Sequence, residues 1–159
     1  MELLKEYLIP WSISNSISIL FLVAAIRKPK LARLVFILLF AWACWINITT
    51  VHQDPNAYLE YAKMTPFQLY ADFINGWFTS NSILMVTLIA IAQGLIAIGM
   101  MLKGQLFQIA CLGAVIFFLA IIPLGIGSGF PATLIASIAI YFIWKKDDRD
   151  YLWRFKNEK

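Results

Sequence analysis

Charge is the scarcest thing in this chain. Asp, Glu, Lys and Arg supply 14% of its 159 residues, where soluble domains carry about 25%. With 61% apolar residues and a mean hydropathy of +0.76, a water-soluble globule is excluded. The length leaves room for one compact helical bundle and no separate soluble domain. Histidine occurs once, at His52. One imidazole beside scattered carboxylates is a poor basis for a metal centre; His52 and Asp54 are the weak candidates, and Asp54 already has a helix-capping role. Cysteine occurs twice, at Cys44 and Cys111. Both fall in apolar runs, at depths that differ by roughly 12 Å, more than the ~7 Å between Cα atoms that a disulfide spans. Each reads as a small buried hydrophobe. No serine sits in an elbow motif, so nucleophilic catalysis has no candidate. The run Gly125-Ile-Gly-Ser-Gly129 follows no strand and carries no lysine, which excludes a phosphate cradle; it reads as a tight hairpin.

What is present is apolar length. The expected fold is all-α, a polytopic helical bundle with spans at about 8–26, 31–50, 83–102, 106–122 and 131–144. The last two come from one apolar block, 105–144, whose 40 residues would run about 60 Å as a single helix, twice the ~30 Å bilayer core. Pro123, Gly125, Gly127, Gly129 and Pro131 mark where it folds back. In the first span Pro10 lies in the opening turn, and Ser12, Asn15 and Ser16 share a face expected to pack on a neighbouring helix. In the third span Ala90 and Gly94 have the spacing that lets helices approach closely, and Gln93 is the one mid-membrane polar side chain.

The few charges are strongly ordered. Eleven of the 13 Lys and Arg residues fall on one side if the five spans are drawn: Arg27, Lys28, Lys30 and Arg33, then Lys103, then the six of the tail 145–159. Cytoplasmic loops retain Lys and Arg, so the N-terminus is expected outside and the C-terminus in the cytoplasm. Residues 1–7 set Glu2 and Glu6 against Lys5 and lack the positive start of a signal peptide, so the first span is expected to be uncleaved. The tail, with Tyr151, Trp153 and Phe155, reads as an interfacial amphipathic segment or a frayed end. The basic residues sit in short juxtamembrane runs, as anionic lipids and topogenesis require, so the net charge of +4 needs no nucleic acid as partner. No ionisable residue is expected inside a span, which disfavours a transporter or pump.

The polar residues with chemical potential gather in the segment 51–80, expected outside. Asp54-Pro55 reads as the start of one short amphipathic helix running through Tyr58 and Tyr61, and Thr65-Pro66-Phe67-Gln68 as a capping box opening a second, to about Gly76. Its aromatics are too many for a free loop, and the two helices are expected to lie on the bilayer surface or to fold over the bundle. Tyr58, Tyr61, Asp72, Asn75 and Trp77 are candidates for the mouth of an apolar pocket, with Gln93 at its floor.

From the second span onward the layout resembles the DoxX-like group of small bacterial membrane proteins. The similar elements are the outer aromatic segment from Tyr58-Leu-Glu-Tyr61 to Phe73-Ile-Asn-Gly-Trp-Phe78, the stretch Gln93-Gly-Leu-Ile-Ala-Ile-Gly-Met-Met-Leu-Lys103, and the final hairpin Pro-Leu-Gly-Ile-Gly-Ser-Gly-Phe-Pro131. That resemblance implies a four-span core, with the first span as an addition, a bacterial inner (cytoplasmic) membrane, and a link to quinone redox chemistry; no catalytic residue carries over. The expected function is therefore a non-catalytic subunit or accessory protein binding an apolar partner, whether quinone, lipid or other membrane helices. The alternatives are a DoxX-like subunit of a quinone-linked oxidoreductase and, less well supported, a small-molecule transporter. Quinone is the one cofactor suggested. The bilayer and either further membrane subunits or a second copy of the chain are the expected partners.

Overall fold

The computed structural model describes residues 2–154, with side chains from Tyr7 onward. Every regular element among them is helical. Helix α1 spans Glu2–Arg27 and α2 Pro29–Gln53, separated only by Lys28; Pro29 opens α2 at a position whose N–H would have no helical partner. Short helices α3 (Tyr61–Met64) and α4 (Gln68–Phe73) follow, then a π-helical turn Ile74–Phe78 that runs straight into α5 (Thr79–Met101). Helix α6 (Gly104–Ile121) ends in a 3-10 turn Ile122–Ser128, and α7 (Ala132–Lys146) closes the order. Four helical stretches are long and apolar enough to cross a membrane: Tyr7–Arg27, Pro29–Gln53, Gln68–Met101 and Gly104–Ser128. Helix α7, at 15 residues, is shorter.

The long helices pack as a closed ring, α1 against α2, then α5, α6, α7 and back to α1. The pattern of side chains explains why. The inward faces carry small residues and phenylalanines, among them Ala32, Ala90, Ala114, Ala139, Phe36 and Phe107, each almost wholly buried. Leu and Ile point outward instead, with Leu20, Leu38, Leu95 and Ile109 all more than half exposed. An apolar solvent removes the penalty on outward leucine, and close helix contact favours small residues inside. Ala90 and Gly94 meet α2 as their spacing suggests: a Cβ on Gly94 would lie 3.2 Å from the Cys44 sulfur. The α5–α6 contact is tighter still, since a Cβ on Gly99 would lie 2.7 Å from that of Ala110. Replacing Gly99 by valine should therefore wedge these helices apart and cost about 1–3 kcal/mol of stability, visible as a lower melting temperature in detergent, whereas valine at Gly76, where a Cβ meets nothing within 4 Å, should leave it unchanged.

One end of the bundle gathers the basic residues, and here the sequence reading needs correction. Arg33 lies inside the second span as bounded above, so the spans are not free of ionisable groups. Its side chain is wholly buried. The guanidinium donates to the Met100 carbonyl at 2.6 Å, to Leu102 O, to Asp147 Oδ1 at 2.8 Å and to Asp150 O at 2.9 Å, and lies 4.2 Å from the centre of the Phe107 ring. It thereby satisfies carbonyls that the end of α5 leaves unpaired and ties α2, α5 and α6 to the chain after α7. That chain, residues 147–154, is neither an amphipathic helix nor frayed. It straps the end of the bundle: Gly104 N donates to Arg149 O at 2.9 Å and Leu152 N to Met101 O at 3.2 Å, while Lys30 binds Asp148 and Arg154 O. Phe155 lies outside the described residues.

The opposite end corrects the amphipathic pair. After Asp54 the chain runs through turns to the single helical turn of α3. Asp54 Oδ1 accepts the Asn56 N–H at 3.0 Å, a local turn in place of a helix cap. The capping box does not form: the N-cap of α4 is Phe67, Thr65 Oγ1 donates to Pro123 O at 2.6 Å, and the Gln68 amide turns forward to Asp72 at 2.8 Å. Nor is the second helix separate, because α4 and the π turn continue into α5. Asn81 carries the only break, with φ −129° and its side chain donating to Trp77 O at 2.9 Å.

Candidate functional site

Helices α1 and α2 form a V. They are joined at Lys28 and held by the Phe21–Phe36 contact, ring centres 5.2 Å apart. Beyond that contact they diverge, and a groove of about 1080 Å³ opens between them. Phe21 and Phe118 form its floor; Ile13 and Ile17 of α1 face Leu39 and Trp42 of α2 across it. At the far end Tyr58, Tyr61 and Met64 lie over it as a roof. The rim is exposed and apolar, with Ile9 71%, Ile13 54% and Trp42 57% accessible, so the groove opens sideways, between helix bodies.

The glycine hairpin after α6 positions the roof. Gly125, at φ +63°, sits where a Cβ would lie 2.9 Å from Pro66 Cδ, and a Cβ on Gly127 would lie only 2.4 Å from the Tyr61 ring. Glycine is required at both places, for backbone freedom at the first and close approach at the second. From the other side α1 clips the hairpin: Trp11 Nε1 donates to Phe130 O at 2.6 Å and Asn15 Nδ2 to Gly129 O at 3.3 Å. The inward face of α1 is thus Trp11, Ser14, Asn15 and Ser18, while Ser12 and Ser16, expected on the packed face with Asn15, are exposed. The helical stripe is turned by about 100° per residue of shift.

Tyr58 and Tyr61 stack at the roof, ring centres 6.2 Å apart. Burial pushes both phenols above the ordinary tyrosine range, opposed at Tyr58 by a hydrogen bond with Thr50 and reinforced at Tyr61 by Tyr7. Both stay neutral at physiological pH. Tyr58 also begins a relay: its hydroxyl donates to Asn47 Oδ1 at 2.8 Å, and Asn47 Nδ2 donates to Gln93 Oε1 at 2.8 Å. Gln93 is 3% exposed and sits behind Asn47, off the groove surface. Replacing Asn47 by leucine should strand the buried Gln93 oxygen and cost about 1–3 kcal/mol; adding Gln93→Leu should recover part of that loss in the same thermal unfolding measurement.

Other candidates lie elsewhere. Asp72, Asn75 and Trp77 are exposed and none lines the groove; Asp72 is held by Gln68, and Trp77 stacks on Phe73 at 5.7 Å. His52 Nδ1 meets the Ile48 carbonyl at 2.9 Å, so that nitrogen carries the proton. No group of three or more His, Cys, Asp or Glu able to hold a metal occurs among the described residues. Among the polar groove residues that sequence reasoning missed are Ser14, Ser18, Asn47 and Thr133. The i, i+4 pair Ser14/Ser18 was the available signal, competing with the equally spaced Ser12/Ser16. Comparison with family models, curated proteins and solved structures yields no match.

Proposed function

We propose that the chain is a five-span membrane protein, N-terminus outside, that holds a membrane-derived apolar molecule in the groove between α1 and α2, as an accessory protein or subunit without chemistry of its own. The observation that carries this reading is the groove: large, apolar on floor and walls, and open sideways at the depth where lipid would lie. Support for the fifth span comes from α7, which runs from the hairpin end to the basic end alongside α1, where Lys146 Nζ reaches Ile26 O at 3.2 Å. The charge asymmetry supports the orientation. Reporter fusions at Lys30, Gly104 and Lys159 should report cytoplasm, and fusions near Asn56 or Ser128 should not. Gently purified protein should release one dominant apolar species into an organic extract; if nothing co-purifies and added long-chain compounds leave the melting temperature unchanged, the groove holds no ligand. A second reading, a DoxX-like subunit serving a quinone-linked oxidoreductase in a bacterial inner membrane, draws on the stacked Tyr58/Tyr61 pair, whose flat faces suit a ring-shaped head.

A further inference from the structure

Three carboxylates stand among the described residues at the basic end, and each has its own cation. Asp147 pairs with Arg33 at 2.8 Å, Asp148 with Lys30 at 3.2 Å and Asp150 with Arg154 at 3.8 Å. A second set of cations lies where α1 and α7 end. Lys146 Nζ donates to Ile26 O at 3.2 Å, so the last turn of α7 meets the last turn of α1. Arg27, Lys28, Lys145 and Lys146 all fall within two residues of that bond and all are exposed. None of the four forms an ion pair among the described residues. Like charges gathered in this way repel unless an anion comes between them.

Two further features place that anion. Lys145 Nζ sits 5.2 Å from the centre of the Tyr141 ring, and Lys146 Nζ 5.5 Å from that of Phe142. Each ammonium is therefore held beside a ring one helical turn back, about 5.4 Å, toward the apolar body of α7. Val23 and Ile26 of α1 and Ile138 of α7 are exposed apolar side chains on the same two helices. An occupant at this joint thus meets charge at one end and hydrocarbon at the other.

Resting on the reading of α7 as a fifth span, we infer that the joined ends of α1 and α7 bind one anionic phospholipid. Its headgroup phosphate lies among Arg27, Lys28, Lys145 and Lys146, and its chains lie along the two helices. A zwitterionic lipid carries its own cation into this cluster and gains less from it. The site is separate from the groove, whose lining holds no Lys or Arg. It also differs from a general attraction of the basic end for anionic lipid, because Lys103, on the α5–α6 turn and 5.0 Å from the Tyr151 ring, has no part in it.

Native mass spectrometry of the full chain in detergent tests this, with phosphatidylglycerol or phosphatidylcholine of identical chains added. One phosphatidylglycerol should be retained about tenfold more tightly than phosphatidylcholine, and the advantage should shrink as salt is raised. Lys145→Gln or Lys146→Gln should weaken phosphatidylglycerol about fivefold each, and the two together about twentyfold, with phosphatidylcholine unchanged. Arginine at both positions should keep the preference, since it keeps the charge. Lys103→Gln should change retention by less than about twofold, being screened from the site. An unchanged melting temperature without added lipid certifies the fold of each variant. Equal retention of the two lipids overturns the inference, as does a loss in Lys103→Gln as large as in Lys145→Gln. Failure of the five-span reading is seen separately, as reporter fusions at Ser128 and Lys159 that fall on the same side. With those fusions on opposite sides and no lipid preference, the headgroup site alone fails.

Discussion

Replacing Arg33 by methionine should destabilise the bundle by about 3–5 kcal/mol, because it leaves Asp147 as a buried carboxylate without its cation. The measurement is thermal or denaturant unfolding in detergent. Both side chains of the pair are fully shielded, and Asp147 Oδ2 has no hydrogen-bond partner even with Arg33 present. Burial already pushes the Asp147 carboxyl above the usual range, opposed by Arg33 and by the Arg149 amide. Removing the cation raises it further. The sign of the pH dependence follows: the folded variant prefers the protonated acid more strongly than the unfolded chain does, so its penalty is full at neutral pH and shrinks as pH falls through the raised value. Lysine at this position should rescue little, since one ammonium cannot reproduce a fork that reaches Met100 O, Leu102 O, Asp147 and Asp150 O. The double change Arg33→Met with Asp147→Leu should recover much of the loss, as removal of both charges of a buried pair is often near neutral.

The second large effect is at Gly127. Valine there places a Cβ 2.4 Å from Tyr61 Cδ1, 2.8 Å from Cε1 and 3.1 Å from the Met64 sulfur, so the ring must leave its position over the groove. Ligand retention should fall by about tenfold or more, 1.4 kcal/mol of binding, while over-packing costs about 1–3 kcal/mol of stability. Gly76→Val is the matched control. Extracts of the two variants, compared with the parent protein by mass spectrometry, separate loss of binding from loss of protein.

Helical character and close-packing small residues were legible in the sequence because they are local. Ala90 and Gly94 need only a spacing of four, and the glycines of 125–129 only a turn. Arg33 was not legible, since its partner Asp147 lies 114 residues away and a basic residue near a span end has a ready topogenic explanation. The same limit applies to the groove. Tyr58 and Tyr61 stood out as aromatics in a polar segment, but their neighbours Ser14, Asn47 and Thr133 come from three different helices. Only the divergence of α1 from α2 makes them one surface. Asp72, Asn75 and Trp77 were grouped with the tyrosines by proximity in sequence, whereas the helical continuity of α4 into α5 holds them outside.

Photolabelling tests whether the groove holds a membrane-derived apolar molecule, as proposed. A photoactivatable long-chain alkyl probe, irradiated with the full chain and mapped by peptide mass spectrometry, should label α1 between Trp11 and Phe21 and α2 between Leu39 and Asn47. That labelling should saturate and should be lost in Gly127→Val. Non-saturating labels spread over the outward faces of α5 and α6, at Leu88, Leu95, Ile109 and Ile116, with no enrichment between α1 and α2, would contradict it.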